Sequence, residues 1–132
     1  MKIDYLQVIW AVHYLGGVVT PASYQLSAFE LAAQLKDSRA SSIFTCPSLL
    51  DTALKAAKAA SIPRHRVYLL EIPAALSNGI TSTEFKTTSQ LAQLGASRPK
   101  VEPLKWIKGQ GKSQIAFLCY SSGTSGLPVR HL

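Results

Sequence analysis

At 132 residues with a hydrophobic share of 47%, the chain is one domain or part of one, of a size that buries about two-thirds of its unfolded surface. That composition argues against a disordered chain. Its two cysteines, Cys46 and Cys119, sit far apart inside apolar segments. They read as reduced core residues of a cytosolic or organellar protein, not as a disulfide scaffold or zinc site. The formal charge of +7 is dispersed, without interleaved aromatics or finger spacing, which argues against a nucleic-acid partner.

In chain order, residues 4–15 read as an amphipathic helix. Tyr5, Val8, Ile9, Val12 and Leu15 recur at helical spacing, and Gly16-Gly17 ends the run. Asp4, Gln7 and His13 interrupt it, no small-x-small cleavage site follows, and it is too short to span a bilayer. Neither an export signal nor a membrane span is expected. His13 lacks a neighbour at metal-ligand spacing and reads as a packing residue. Val18-Val19-Thr20 form a short strand closed by Pro21. Ser27 and Glu30 then make a capping box, with Leu26 and Leu31 at hydrophobic-staple positions; Leu31, Ala32 and Leu35 face inward. A second strand, Ile43-Phe44-Thr45, precedes a helix opened by Pro47. Its buried stripe is Leu50, Ala53, Leu54 and Ala57, and Asp51 and Lys55 are spaced for an i,i+4 pair. Ser61-Ile62-Pro63 stop this helix, and residues 67–70 form a third strand. Strands alternating with helices define an α/β fold with a parallel sheet and crossover helices.

The signal then weakens. Ser77-Asn78-Gly79 is a turn. Thr87 and Gln90 fit a second capping box for a short helix through Leu91 and Leu94, ended by Gly95. Pro99 and Pro103 interrupt regular structure, and Leu104, Trp106 and Ile107 are expected to pack a surface segment onto the core. Gly111-Lys112-Ser113 imitates the end of a Walker A loop. However, position 106 is Trp where that motif needs Gly, and these residues precede a strand instead of following one. Lys112 is expected in solvent.

Residues 114–128 carry the chemistry. Ile115-Ala116-Phe117-Leu118-Cys119-Tyr120 has the composition of a buried strand. Ser121, Ser122, Gly123, Thr124, Ser125 and Gly126 follow at once. The glycines permit turns that a Cβ forbids, and converging N–H and O–H groups at a strand's end can wrap a polyphosphate. A Gly/Ser surface loop without a ligand is the alternative for this composition alone.

The order of residues in YSSGTSGLP resembles the phosphate-binding motif of the adenylate-forming superfamily, the AMP-binding synthetases and ligases that include acyl-CoA synthetases and 4-coumarate–CoA ligases. The likeness covers nearly the whole chain, diffusely until about Leu70, with residues 10–38 resembling the stretch just upstream of the family's first Rossmann-like subdomain, and sharply from Tyr120 to Pro128. It implies a Rossmann-like parallel-sheet subdomain of the large N-terminal domain, with residues 1–132 a partial adenylation domain ending just after the loop at 120–128. It also implies ATP and Mg2+ bound at Ser121, Ser122, Gly123, Thr124, Ser125 and Gly126. Ser121, Ser122 and Thr124 would give side-chain contacts and the others backbone N–H groups. Complete members activate a small-molecule carboxylate as an acyl-adenylate and pass the acyl group to CoA. The sequence departs from the motif after Pro128, where the family has Lys and this chain has Val129. The expectation is therefore a fragment of an ATP-dependent acyl-CoA ligase without catalytic residues or turnover of its own. The alternative is a non-catalytic Rossmann-like module that binds a nucleotide or a protein. The location implied is intracellular, cytoplasmic or peroxisomal. Arg130-His131-Leu132 only loosely matches a peroxisomal address, which calls for a small residue where Arg130 stands.

Overall fold

The computed structural model describes residues 3–71, 84–122 and 128–131. Helix α1 (Ile3–Tyr14) ends in a Schellman turn. Gly17 N–H bonds Val12 O at 2.9 Å and Gly16 N–H bonds His13 O at 2.9 Å, with Gly16 at φ +74°. Gly17 is needed for space, because a Cβ there would lie 2.7 Å from Val12 Cγ1. Helix α2 (Ala28–Asp37) starts at the expected capping box. Glu30 N–H donates to Ser27 Oγ at 3.3 Å, and Ser27 N–H donates to Glu30 Oε2 at 2.8 Å.

Strand β1 (Ile43–Thr45) leads through a short 3₁₀ turn into α3 (Leu50–Ala59), and β2 (Val67–Leu69) pairs parallel with β1, Phe44 opposite Tyr68. One face of this pair, with Ile43, Val67 and Leu69, packs on Ala32 and Leu35 of α2 and on Ala53, Ala56 and Ala57 of α3. The alanines let both helices approach the sheet closely. Each large apolar side chain buried here contributes about 1.5–3 kcal/mol. The Asp51–Lys55 ion pair, formed at 2.7 Å as spaced but largely in solvent, is worth only about 0.3–0.5 kcal/mol. On the opposite face Phe44 and Tyr68 pack with ring centroids 5.1 Å apart.

The ends of α2 and α3 repeat the Schellman geometry without glycine. Arg39 and Ser61 take φ of 53° and 58°, and Ala40 N–H and Ile62 N–H reach back to Leu35 O and Ala57 O. Helix α4 (Thr88–Ala96) begins at the expected Thr87–Gln90 capping box, but Gly95 lies within it instead of ending it. A Cβ at Gly95 would meet nothing within 4 Å. Gly95→Ala should therefore stabilise the protein by about 0.5–1 kcal/mol through reduced backbone entropy of the unfolded chain, checked by urea denaturation.

Two carboxylates beside helix N-termini, Glu30 at α2 and Glu71 next to α4, respond to acid. The Ser27 hydroxyl and backbone N–H hold Glu30 below the usual carboxylate range, and the Ser89 and Thr87 hydroxyls do the same for Glu71. A depressed folded-state value means the stabilisation is complete above the ordinary value of 4.5 and is lost as pH falls through the folded one. Glu30→Gln keeps the cap but cannot titrate. The gap in melting temperature between wild type and Glu30→Gln should be widest near neutrality and close as pH drops below about 4.

Several expectations are corrected. Residues 18–20 do not form a strand and contribute only a parallel bridge, Val19 to Phe117. The strand expected at 115–120 begins later, as β3 (Cys119–Ser122), and pairs antiparallel with β4 (Pro128–His131). The parallel arrangement is thus β1–β2 with bridges, and β3–β4 is a separate unit. Ile115 and Phe117 are exposed, as is Cys119, while Cys46 is half-buried. Neither cysteine is a core residue: Cys119 lies on the exposed edge segment, and Cys46 sits half-buried just past the end of β1. Of Leu104, Trp106 and Ile107, Leu104 is tied to the end of α1, by its N–H to Tyr14 O at 2.9 Å and by Gly16 beside its side chain, whereas Ile107 bonds only locally, to Gln110. Trp106 is 60% exposed. Helix α1 buries Ile9 but leaves Trp10 and Tyr14 exposed, as is Leu15 just past its end. The turn at 77–79 lies outside the described residues.

Candidate functional site

The segment leading into the motif is pinned from three directions. From α1, His13 Nε2 donates to Ala116 O at 3.0 Å, and its ring meets Phe117 edge-on at 4.8 Å. From 18–20, Val19 N–H bonds Ala116 O at 3.0 Å and Leu118 N–H bonds Val19 O at 2.9 Å. From the last turn of α2, Asp37 Oδ2 accepts the Tyr120 hydroxyl at 2.5 Å. His13, read from sequence as a packing residue, thus also donates a hydrogen bond. No local pattern could have revealed the Asp37–Tyr120 bond, whose ends are 83 positions apart.

Within β3, Ser121 stands opposite Val129 and Ser122 opposite Pro128. The structure therefore places both serines in the strand itself, two residues beyond the boundary drawn from composition. Ser121 is exposed. Gly123, Thr124, Ser125 and Gly126 lie outside the described residues. The register pairs the first three residues of YSSGTSGLP with its last residue and the two beyond it, Ser122 opposite Pro128, Ser121 opposite Val129 and Tyr120 opposite Arg130.

A second polar cluster surrounds the carboxyl end of β2. Asp4 Oδ2 accepts from Glu71 N–H at 3.1 Å and from the Thr88 hydroxyl at 3.3 Å, and Glu71 Oε1 accepts from the Thr87 hydroxyl at 2.9 Å. These bonds tie the start of α1 to the starts of α4 and the loop after β2, so the cluster is a structural joint. Among the described residues no group of three or more His, Cys, Asp or Glu could hold a metal ion. Among them, too, no helix is long and apolar enough to cross a membrane. Lys112 is exposed in a 3₁₀ turn ahead of β3, as the Walker A mismatch implied.

The described residues form an α/β scaffold in which a strand, β3, leads into the serine- and glycine-rich segment. The chain belongs to the AMP-binding enzyme family, whose profile matches residues 1–128. An acyl-CoA ligase of Cordyceps militaris is 42% identical over 128 residues, covering 95% of this chain and 20% of that protein. An acyl-CoA ligase of Emericella nidulans is 38% identical over 125 residues, covering 94% and 22%. The chain spans about a fifth of the length of these relatives. Among solved structures, a red-emitting luciferase from Phrixothrix hirtus superposes with a TM-score of 0.73 at 18% identity, over 98% of this chain and 30% of that one. An anthranilate CoA ligase in complex with anthranoyl-AMP gives 0.72 at 17%, over 97% and 22%. These likenesses establish the fold, that of the N-terminal domain of adenylate-forming enzymes.

Proposed function

We propose that residues 120–128 are the phosphate grip of an ATP-dependent acid–thiol ligase, and that this chain supplies ATP binding but no turnover when tested as these 132 residues. The observation that carries the reading is the Ser122–Pro128 pairing, which closes the two ends of the motif on one hairpin. The 42% and 38% identities to acyl-CoA ligases support the reaction class. In that reaction a carboxylate oxygen bonds to the α-phosphorus of ATP as the bond to pyrophosphate breaks; CoA thiol then takes the acyl group and AMP leaves. Ser121, Ser122 and Thr124 would hold the β- and γ-phosphates through hydroxyls, and Gly123, Ser125 and Gly126 through N–H groups. Their task is to keep the leaving group in line and neutralised. The hydroxyl set also fits Mg2+ carried by ATP, through its bound water, and that ion would spread the charge of the leaving pyrophosphate. Tyr120, fixed by Asp37, would set where the grip begins.

The test is a thermal melt with MgATP and, separately, with tripolyphosphate. At a concentration 100 times Kd, either ligand should stabilise the fold by about 2.7 kcal/mol, and Gly123→Val should abolish both shifts. A flat response from cooperatively melting wild type, or an undiminished shift in Gly123→Val, would refute the grip. Carboxylate-dependent pyrophosphate exchange is expected to be nil; a positive rate would overturn the absence of turnover alone.

A further inference from the structure

We propose that residues 98–112 dock the protein on an anionic lipid surface, with Trp106 and Ile107 at the point of contact.

The segment is built to project. Leu104 N–H bonds Tyr14 O at 2.9 Å, and Gln114 Nε2 donates to Gly16 O at 3.4 Å, so the stretch between them is fastened at both ends to the end of α1. Within it, Gln110 N–H closes on Ile107 O at 3.0 Å, and Ile107 N–H donates to Gln110 Oε1 at 3.1 Å. Gly109, the third residue of that closed turn, takes φ +91°, a left-handed value that this position reserves for glycine. These bonds use backbone groups and glutamine amides, and leave Trp106 and Ile107 60% and 76% exposed. Apolar side chains scattered singly over a surface are ordinary, but a Trp–Ile pair held out on a fastened turn marks an interaction site.

Charge selects the occupant. Residues 98–112 hold five Lys or Arg against one Glu, a net +4 of the chain's +7. Glu102 pairs with Lys105 at 3.0 Å, but their side chains are 78% and 83% exposed, so the pair is weak and leaves the excess intact. Lys105 and Lys108 bracket Trp106 and Ile107 directly. A protein surface closing over the pair, from this chain or another, would have to take those ammonium groups out of water or supply carboxylates for them. A headgroup layer requires neither. The lysines stay hydrated among phosphates while the indole enters the water–hydrocarbon boundary, where tryptophan concentrates. Each basic residue near an anionic leaflet strengthens binding roughly fivefold, so Lys105 and Lys108 together account for roughly 25-fold. The docking uses none of residues 120–128 and is independent of the phosphate grip.

The test is co-sedimentation of the full chain with vesicles of phosphatidylcholine alone or with about 30% phosphatidylserine. The anionic vesicles should bind at least about tenfold more tightly, an advantage lost near 1 M salt, where screening acts within about 3 Å. Lys105→Gln with Lys108→Gln should weaken that binding about 25-fold. Lys55→Gln with Lys58→Gln removes the same charge from α3 and should weaken it less than about threefold. Trp106→Ala should weaken it about tenfold without moving the urea midpoint. Trp10→Phe leaves Trp106 as the one tryptophan, and its emission should shift to the blue and be quenched by lipids brominated in the acyl chain. Equal losses from the two lysine pairs would mean attraction by net charge alone and would overturn the proposal. So would binding that leaves Trp106 emission unchanged, or a failure to bind anionic vesicles. Capture by a polyglutamate peptide without binding to vesicles would assign the turn to an acidic protein and overturn it as well.

Discussion

Phe85→Ala should lower the unfolding free energy by about 3–5 kcal/mol, the range for deleting a buried aromatic ring. Phe85 is 5% exposed and belongs to the cluster that includes Ile62, Val67 and Leu69. Its ring also carries the Arg64 guanidinium 5.3 Å from the centroid, and Arg64 is held there by Glu84 at 2.6 Å. Truncation thus opens a cavity and removes a cation–π contact worth about 0.5–1 kcal/mol at an exposed site. Against a total stability of about 5–15 kcal/mol for a domain, the variant should show a much lower urea midpoint with an unchanged slope. Trp106→Ala is the control. It deletes a larger ring that is 60% exposed, and surface changes of this kind stay within about 0.5 kcal/mol. Equal losses from the two variants would show that the core is not where Phe85 places it.

Phe85 also shows where the sequence was silent. It stands between Glu84 and Lys86 in a polar stretch, with no periodicity to mark it as buried; its burial follows from the parallel bridge of Leu69 with Thr87, which draws that stretch beside β2. Features set within four residues were legible. The Ser27–Glu30 and Thr87–Gln90 boxes and the Asp51–Lys55 pair all form as spaced, because their geometry depends only on the helix that contains them. The left-handed residues at Arg39 and Ser61 were not legible, since neither is the glycine that usually announces such a turn. The apolar run at 115–120 was misread for a related reason: six apolar residues in succession satisfy the pattern of a buried strand whatever faces them. Ile115, Phe117 and Cys119 face solvent here. The motif was legible by residue order, but its hairpin register was not, because that depends on Ser121 and Val129 meeting across the loop.

Val129→Lys should tighten MgATP binding by about tenfold, measured as Kd at low ionic strength. Val129 occupies the position where the motif's Lys stands in the resembling family, and the register sets it opposite Ser121 at the base of the proposed grip. Hydroxyl and N–H donors on a phosphate already make charge-assisted hydrogen bonds of about 1.5–3 kcal/mol each, and a lysine would add a full opposite charge to them. An ammonium about 4 Å from a phosphate charge gains roughly 4 kcal/mol at an effective dielectric near 20. Ordering the lysine and stripping part of its water takes back much of that, leaving roughly the 1.4 kcal/mol that a tenfold change represents. The gain should shrink as salt rises, since an exposed pair is screened over about 10 Å at 0.1 M. Val129→Met, similar in length but uncharged, should leave Kd unchanged. If Lys and Met bind MgATP alike, position 129 does not face a phosphate, and the hairpin closed by Ser122 and Pro128 grips something other than a triphosphate tail.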